Sequence, residues 1–362
     1  MPLSDRRSLE VIGETIARSL EADKKGVSQL SDLFCENPRL VITPNDDCDN
    51  GCLHCVADST AKGTTIPYDA FKSIDPEFFK IFKTADFGRR GNPVLYRSQG
   101  SDLADMMGFL QSMGIQKFSI AAAIRNSYPE IIPRLKKVVE EKGIGLDTML
   151  TYHHYFPALD QVKLAKDMNA AIKDYILFSD KIIISLLGDN YSQKDPTMKQ
   201  EVEETFNRNH GLIFEGIELA AAGENAYAAR FKDHHAKISI PATDTRVYPF
   251  GRFREYLRYR SMLNEYTEKF EASLSDYVCP DMIRWPGIII EPDGGLNMCA
   301  SFEAINCRKA VVSNILDWPF DKVKSDLIRC HELEKEWFDK NIDSIMDGSA
   351  MSCKMKKGCY DR

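Results

Sequence analysis

Several things are missing from this 362-residue sequence, and each absence excludes something. No run of 18 or more apolar residues occurs, so no membrane-spanning helix is expected. Basic residues are not in excess: 47 Lys and Arg face 54 Asp and Glu, a formal net charge of −7, which argues against a nucleic-acid-binding protein. Residues 1–36 contain no apolar h-region and too many charges for a secretory signal peptide. Without such a signal, the ten cysteines are expected in a reducing compartment, the cytoplasm, as thiols or metal ligands rather than as disulfides. The composition is not that of a disordered chain either. At 43% hydrophobic and 28% charged it can form a sizeable core, with one large domain and a smaller one as the natural division.

What the sequence does contain is a dense cysteine loop. Cys48-Asp49-Asn50-Gly51-Cys52-Leu53-His54-Cys55 has the spacing C-x3-C-x2-C and directly follows Leu40-Val41-Ile42, an apolar run that reads as a buried strand. Three thiolates on one tight loop can face a single point, which suits an iron–sulfur cluster. A complete cluster site normally has four cysteines, so three leave one iron open, and an open position is where a metal centre does chemistry. The structural alternatives are a zinc knuckle or three buried thiols. Zinc sites more often pair two separated C-x2-C units or mix Cys with His.

The loop resembles the signature of the radical S-adenosylmethionine (radical SAM) enzymes. The resemblance implies that Cys48, Cys52 and Cys55 hold a [4Fe–4S] cluster and that the amino and carboxylate groups of SAM chelate the fourth iron. It further implies reductive cleavage of SAM to methionine and a 5′-deoxyadenosyl radical, which abstracts a substrate hydrogen. His54 fills the position where the family usually places an aromatic ring near the adenine. The family's Gly-Gly-Glu-Pro motif, whose backbone binds the SAM amino group, has its counterpart in Arg90-Gly91-Asn92-Pro93. There the glycine and proline match, while the first glycine and the glutamate do not. A backbone carbonyl accepts a hydrogen bond whatever its side chain, so recognition survives the change.

The rest of the chain alternates. Residues 4–22 predict a helix with Leu9, Ile12, Ile16 and Leu20 on one face, part of a leader too short to be a domain. Residues 69–83 predict a helix anchored by Phe71, Phe78, Phe79 and Phe82. Leu103, Met106, Met107, Leu110 and Met113 mark another, and a methionine stripe of this kind is core rather than cofactor box. Strands are expected at 117–124, 146–152, 181–187 and 213–219, with helices at 130–142 and 160–177 and a polar helical stretch at 190–210. Such alternation implies parallel β-α units with ligands at the carboxyl ends of the strands. The resemblance implies a partial (β/α)6, TIM-like barrel of the α/β class. Ser185, at one strand's carboxyl end, is a candidate contact to the SAM ribose; a hydroxyl bonded within the strand end is the structural reading.

Three further features bear on chemistry. His153-His154, at a strand's carboxyl end, offers an acid/base pair or a polar rim. His234-His235 is read as part of a charged loop; adjacent histidines diverge on most backbones, so neither pair makes a metal site alone. Residues 246–260 interleave five arginines with Tyr248, Phe250, Phe253, Tyr256 and Tyr259. Base stacking is one reading of that pattern, and the acidic total opposes it. Pro249-Phe250-Gly251-Arg252 resembles a turn common in radical SAM enzymes with C-terminal extensions, where Arg252 contacts SAM, an anionic substrate group or a structural carboxylate.

From about residue 272 the character changes. Six cysteines lie here, around an apolar run, the Pro292-Asp293-Gly294-Gly295 turn and a second short run, which is a hairpin signal. It resembles the SPASM and twitch extensions of radical SAM enzymes, with Cys279, fourteen residues, Gly294, four residues and Cys299 matching their pattern. Val312-Ser313-Asn314-Ile315 resembles the Gly-Asn-Ile that often follows, with serine for glycine. The resemblance implies a small α+β iron–sulfur extension with one auxiliary [4Fe–4S] cluster on Cys279, Cys299, Cys353 and Cys359. Cys307 and Cys330 remain as core thiols, or one of them as a hydrogen-atom donor.

The expected division is a helical segment 1–37, a core domain 38–271 and an auxiliary-cluster domain 272–362. The expected function is radical SAM chemistry on a ribosomally made peptide, by cross-linking or epimerisation, with an electron donor such as flavodoxin or ferredoxin. The rivals are dehydrogenation or epimerisation of a sugar or aminocyclitol, and a non-enzymatic iron–sulfur or zinc scaffold.

Overall fold

A computed structural model describes residues 29–49, 55, 59, 62–88, 90–122, 124, 128–152, 161–186, 196–240, 285–297 and 311–346. A short 3-10 turn, Leu30–Leu33, leads into β1 (Phe34–Ile42). Two one-turn helices follow, α1 (Tyr68–Lys72) and α2 (Pro76–Phe79), and then β2 (Thr84–Phe87). A small hairpin, β3 (Arg97–Ser98) and β4 (Ser101–Asp102), opens α3 (Leu103–Ser112). The chain then runs β5 (Lys117–Ala122), α4 (Ile131–Lys142), β6 (Gly145–Tyr152), α5 (Gln161–Tyr175), β7 (Lys181–Leu186) and α6 (Pro196–Ile213). Three short strands come next: β8 (Glu218–Gly223), β9 (Ala226–Phe231) and β10 (His234–Ser239). After them come β11 (Trp285–Ile290), β12 (Gly295–Asn297), β13 (Val311–Asn314) and the long α7 (Phe320–Met346).

Eleven strands form one sheet in the order β13-β12-β11-β1-β2-β5-β6-β7-β10-β9-β8. The seven from β11 to β10 are all parallel to their neighbours, and β9 with β8 and β12 with β13 add antiparallel flanks. The fold is therefore mixed α/β with a large parallel sheet. Among the described residues the sheet is open, with β13 and β8 as its two edges and no barrel closure.

The core follows from residue choice. Phe118 and Ile120 of β5, Leu146 and Leu150 of β6, and Ile182 and Ile184 of β7 are buried at period two. Under the helices, Phe71, Phe78, Phe79, Phe82 and Phe109 stack edge-on or tilted with ring centroids 5.5–5.7 Å apart. Such pairs add roughly 0.5–1.5 kcal/mol each beyond the area they bury. The methionine stripe is core: Met106 and Met107 are fully buried. Helix α3 starts on a capping box, with Asp102 accepting from the Ala104 and Asp105 amides and Asp105 returning the bond. Arg134 of α4 pairs with both carboxylates, at 2.6 and 2.9 Å, and so ties the two helices together.

Three sequence expectations need correction. The helix expected over 69–83 is two separate turns, because Asp75 caps a new start and Pro76 denies the preceding turn a donor. The strand expected over 213–219 begins only at Glu218; Ile213 ends α6, its apolar side chain buried on a helix rather than a strand. His234 and His235 lie in β10, paired with Phe231 and Arg230 of β9, not in a loop. The helix expected over 4–22 lies outside the described residues.

Candidate active site

Two loops meet at the carboxyl ends of β1 and β2, which run side by side with Ile42 opposite Phe87. Both stay with the sheet as they leave it. Gly88 donates its N–H to the Ile42 carbonyl at 3.2 Å, and the Thr43 hydroxyl donates to the Gly88 carbonyl at 3.2 Å. On the other side Thr43 donates its N–H to Ile290 of β11, at 2.9 Å. The three adjacent strand ends β11, β1 and β2 are thus sewn together immediately before the cysteine loop.

The first loop is held from below by Asn45. Its side chain is fully buried and its amide nitrogen donates to the carbonyls of Asp47 (3.2 Å) and Asn92 (3.3 Å). The second loop turns at Gly91, whose φ is +65°. A Cβ at that position would lie 2.2 Å from the Asn45 carbonyl oxygen and 2.9 Å from that of Asp47, so the site needs glycine for space as well as for conformation. The Gly91 N–H donates to the Ser59 hydroxyl at 2.9 Å, and the Asn92 N–H to the Asp47 carbonyl at 2.6 Å.

A third strand end contributes Tyr128, from the connection after β5. Its hydroxyl donates to the Asp49 carboxylate at 3.0 Å and accepts from the Asn92 amide at 2.7 Å. Burial first, and then the Asp49 charge, push the Tyr128 hydroxyl well above the ordinary tyrosine range, so it remains a donor. Asp49 lies between Cys48 and Cys52 in sequence, so this contact anchors the cysteine loop itself.

Beside the cradle lies a compact charge cluster. The Arg90 Nε faces Asp46 at 3.0 Å, and its Nη1 faces Glu291, at the end of β11, at 3.6 Å. Burial raises the Asp46 carboxyl above the usual carboxylate range; Arg90 opposes this, and Asp293 and Asp47 add to it.

Of the sequence-predicted ligands, Cys48 and Cys55 are half-buried, and Cys55 Sγ accepts the Ser59 N–H at 3.4 Å. Such N–H···S bonds stabilise thiolate charge in iron–sulfur sites. Cys52 and His54 lie outside the described residues, as do Cys279, Cys299, Cys307, Cys353, Cys359, His153, His154 and Arg252. Gly91, Asn92 and Pro93 come together in the loop after β2, Pro93 opening a 3-10 turn to Leu95. Ser185 is buried near the carboxyl end of β7, opposite Thr151, with β5 and β6 between its strand and β2. At roughly 4.8 Å per strand it stands about 14 Å along the sheet from that loop. Cys330 is half-buried on α7 and packs against the core.

Sequence reading missed Asn45, Asp49, Ser59, Tyr128 and Glu291. Asp49 and Ser59 were legible only as polar neighbours of cysteines. Tyr128 and Glu291 reach the site through strand order, which no local pattern encodes.

The residues of the loop after β2 fit an amino group of the kind that the resemblance to SAM enzymes implies. Among the described residues, Asn45 Oδ1 and Asn92 Oδ1 are buried acceptors without hydrogen-bond partners, side by side with the tight Gly91 turn. Buried acceptors left open suit a ligand that brings donors, such as an ammonium group. Among the described residues no group of three or more metal-binding side chains occurs, with Cys52 outside them. No helix among them is long and apolar enough to cross a membrane.

Comparison with protein families and with curated proteins finds no match. Among solved structures, the chain is similar to Streptococcus suis SuiB bound to S-adenosylmethionine, at 12% identity and TM-score 0.42, over 86% of this chain and 69% of that one. It is also similar to SuiB bound to the precursor peptide SuiA, at 14% identity and TM-score 0.41, over 86% and 68%.

Proposed function

We propose that the chain is a radical SAM enzyme whose cluster is held by Cys48, Cys52 and Cys55 and whose SAM amino group is received by the loop Gly91-Asn92-Pro93. The observation that carries this reading is the lacing of the cysteine loop to the glycine turn at adjacent parallel strand ends, with two buried acceptors left open there. Bound at this loop, a [4Fe–4S] cluster supplies the electron that cleaves SAM and generates the radical that takes a substrate hydrogen.

The chain's own residues then have definable tasks. Asn45 and Asn92 present their Oδ1 atoms to a bound ammonium group. Gly91 keeps the backbone close enough for that contact. Tyr128 holds Asp49 and Asn92 in one frame, so cysteine loop and SAM loop keep a common geometry. The Ser59 N–H stabilises charge on the Cys55 sulfur. Positioning and exclusion of water are the main contributions a protein makes to cofactor chemistry of this kind.

The finer assignments belong to the same reading: His54 beside the adenine, Ser185 on the ribose, and one auxiliary cluster on Cys279, Cys299, Cys353 and Cys359. A ribosomally made peptide is the proposed substrate class, because SPASM-like extensions, which residues 279–299 resemble, often accompany peptide modification. Dehydrogenation or epimerisation of a sugar or aminocyclitol is the second reading, which one auxiliary cluster would suit.

The deciding experiment is iron and sulfide analysis of anaerobically reconstituted protein beside a Cys48/Cys52/Cys55→Ala variant, followed by a SAM-cleavage assay with dithionite. Roughly eight irons against four indicate one SAM cluster and one auxiliary cluster. Roughly four against none keep the SAM cluster and remove the auxiliary one. Zinc in place of iron, or no deoxyadenosine from the loaded protein, overturns the assignment in favour of a scaffold.

A further inference from the structure

We propose that Arg90 is a positioning residue that locks the 285–297 hairpin onto the Gly91 loop, so that the C-terminal hairpin sets the geometry of the SAM cradle. The part concerning SAM rests on the function proposed above; the mechanical lock does not.

The argument begins with strand order. β11, β1 and β2 are neighbours, with β1 in the middle. Arg90 follows β2. Its guanidinium meets Asp46 in the loop after β1 and reaches Glu291 after β11, spanning three strand ends. The side chains are largely shielded: Arg90 is 24% exposed, Asp46 19% and Glu291 8%. The contacts are ion pairs at 3.0 and 3.6 Å rather than hydrogen bonds, and the broad guanidinium faces both carboxylates at once, where the compact ammonium of a lysine could closely face only one. The family resemblance leads one to expect glycine where Arg90 stands, so this contact belongs to this chain.

Both ends of the lock are stiff. Glu291 and Gly295 bond across the turn at 2.9 Å, and the Gly295 N–H donates to Asp293 Oδ1 at 3.0 Å. Asn314 donates to the Asp293 carbonyl at 2.9 Å and caps Leu316 and Asp317, which gives the Asn of Val312-Ser313-Asn314-Ile315 a turn-holding task. A Cβ on Gly294 would lie 2.6 Å from Leu316, and one on Gly287 would lie 2.3 Å from the Arg39 carbonyl. The hairpin is therefore seated on β1 and cannot slide freely. At the other end, Arg90 directly precedes Gly91, whose surroundings leave no room for a Cβ. A shift at Glu291 is passed by one side chain to the residue beside the cradle.

The test uses the full chain and two readouts. Glu291→Gln keeps shape and removes charge; Arg90→Ala removes the fork, and Arg90→Lys keeps only the charge. Hydrogen exchange at the Gly91 and Asn92 amides, which needs no cofactor, is expected to quicken about tenfold in Glu291→Gln while iron content stays at the wild-type level. SAM affinity of the loaded protein is expected to weaken about three- to tenfold, with Arg90→Lys intermediate and the Arg90→Ala/Glu291→Gln double variant no weaker than Arg90→Ala alone. Unchanged exchange in a folded Glu291→Gln protein, or fully additive losses in the double variant, overturns the lock. If wild type binds no SAM, the proposed function falls, and exchange alone decides the lock; should Arg90→Ala not fold, Glu291→Gln and Arg90→Lys still decide it.

Discussion

Gly91 and Gly143 have nearly the same backbone, φ +65° and +60°, at opposite ends of the same parallel sheet. Gly143 ends α4 in the turn that feeds β6, and nothing lies within 4 Å of where its Cβ would be. It is a helix stop, chosen for conformation alone. Gly91 has the same conformation and no space at all, with a carbonyl 2.2 Å from the missing Cβ. The turns at the amino ends of the strands are closed by backbone bonds, such as Ile144 N–H to Val139 and Gly145 N–H to Gln116. The loops at the carboxyl ends are laced by side chains, Asn45 to Asn92, Ser59 to Gly91 and Tyr128 to Asp49, and they leave the Asn45 and Asn92 Oδ1 atoms open. One end of the sheet is closed mainly by backbone, and the other draws on side chains and leaves buried acceptors unmet.

Substitutions can break that contrast or sharpen it. The largest effect is expected from Gly91→Ala. A left-handed alanine costs roughly 1 kcal/mol, and the clash with a buried carbonyl adds more, for a total of about 3 kcal/mol in urea unfolding. SAM binding should be lost together with stability. If Gly91→Ala binds SAM normally, the cradle is elsewhere.

Asn92→Ala should come next. It removes a buried amide that holds Tyr128 and Asp49, and is expected to cost about 2 kcal/mol. Iron retention at the cysteine loop should fall as Asp49 loses a donor, which iron analysis after gel filtration would register. Tyr128→Phe removes one hydroxyl and should cost about 1.5 kcal/mol, with SAM affinity falling more than iron content. Equal losses of both would mean that Tyr128 supports the fold rather than the frame between the loops.

The smallest effect is expected from Gly143→Ala. It should cost about 1 kcal/mol in thermal or urea unfolding and leave SAM binding and iron content unchanged. A change in SAM affinity there would show that the two ends of the sheet are coupled and that the contrast drawn above is false.

Much of the architecture was legible because it is local. Alternating burial in β5, β6 and β7, the Leu103–Met113 stripe and the Pro292–Gly295 turn follow from side-chain periodicity and turn chemistry within a few residues. Where local signals misled, a tertiary or capping effect decided. Pro76 divided one apparent helix into two, and the His234-His235 pair was drawn into β10 by pairing with β9.

The cysteine spacing and the Gly91-Asn92-Pro93 match are sequence facts, and by themselves they determined which chemistry to look for. Only the tertiary structure decided what surrounds them. Glu291 lies 201 positions from Arg90 in sequence, and it reaches the site because β11 pairs with β1. Tyr128 reaches Asp49 because β5 follows β2 in the sheet. Hydrogen bonds between loops depend on which strands are neighbours, and strand order is settled by the burial of whole faces, not by any residue's own preference.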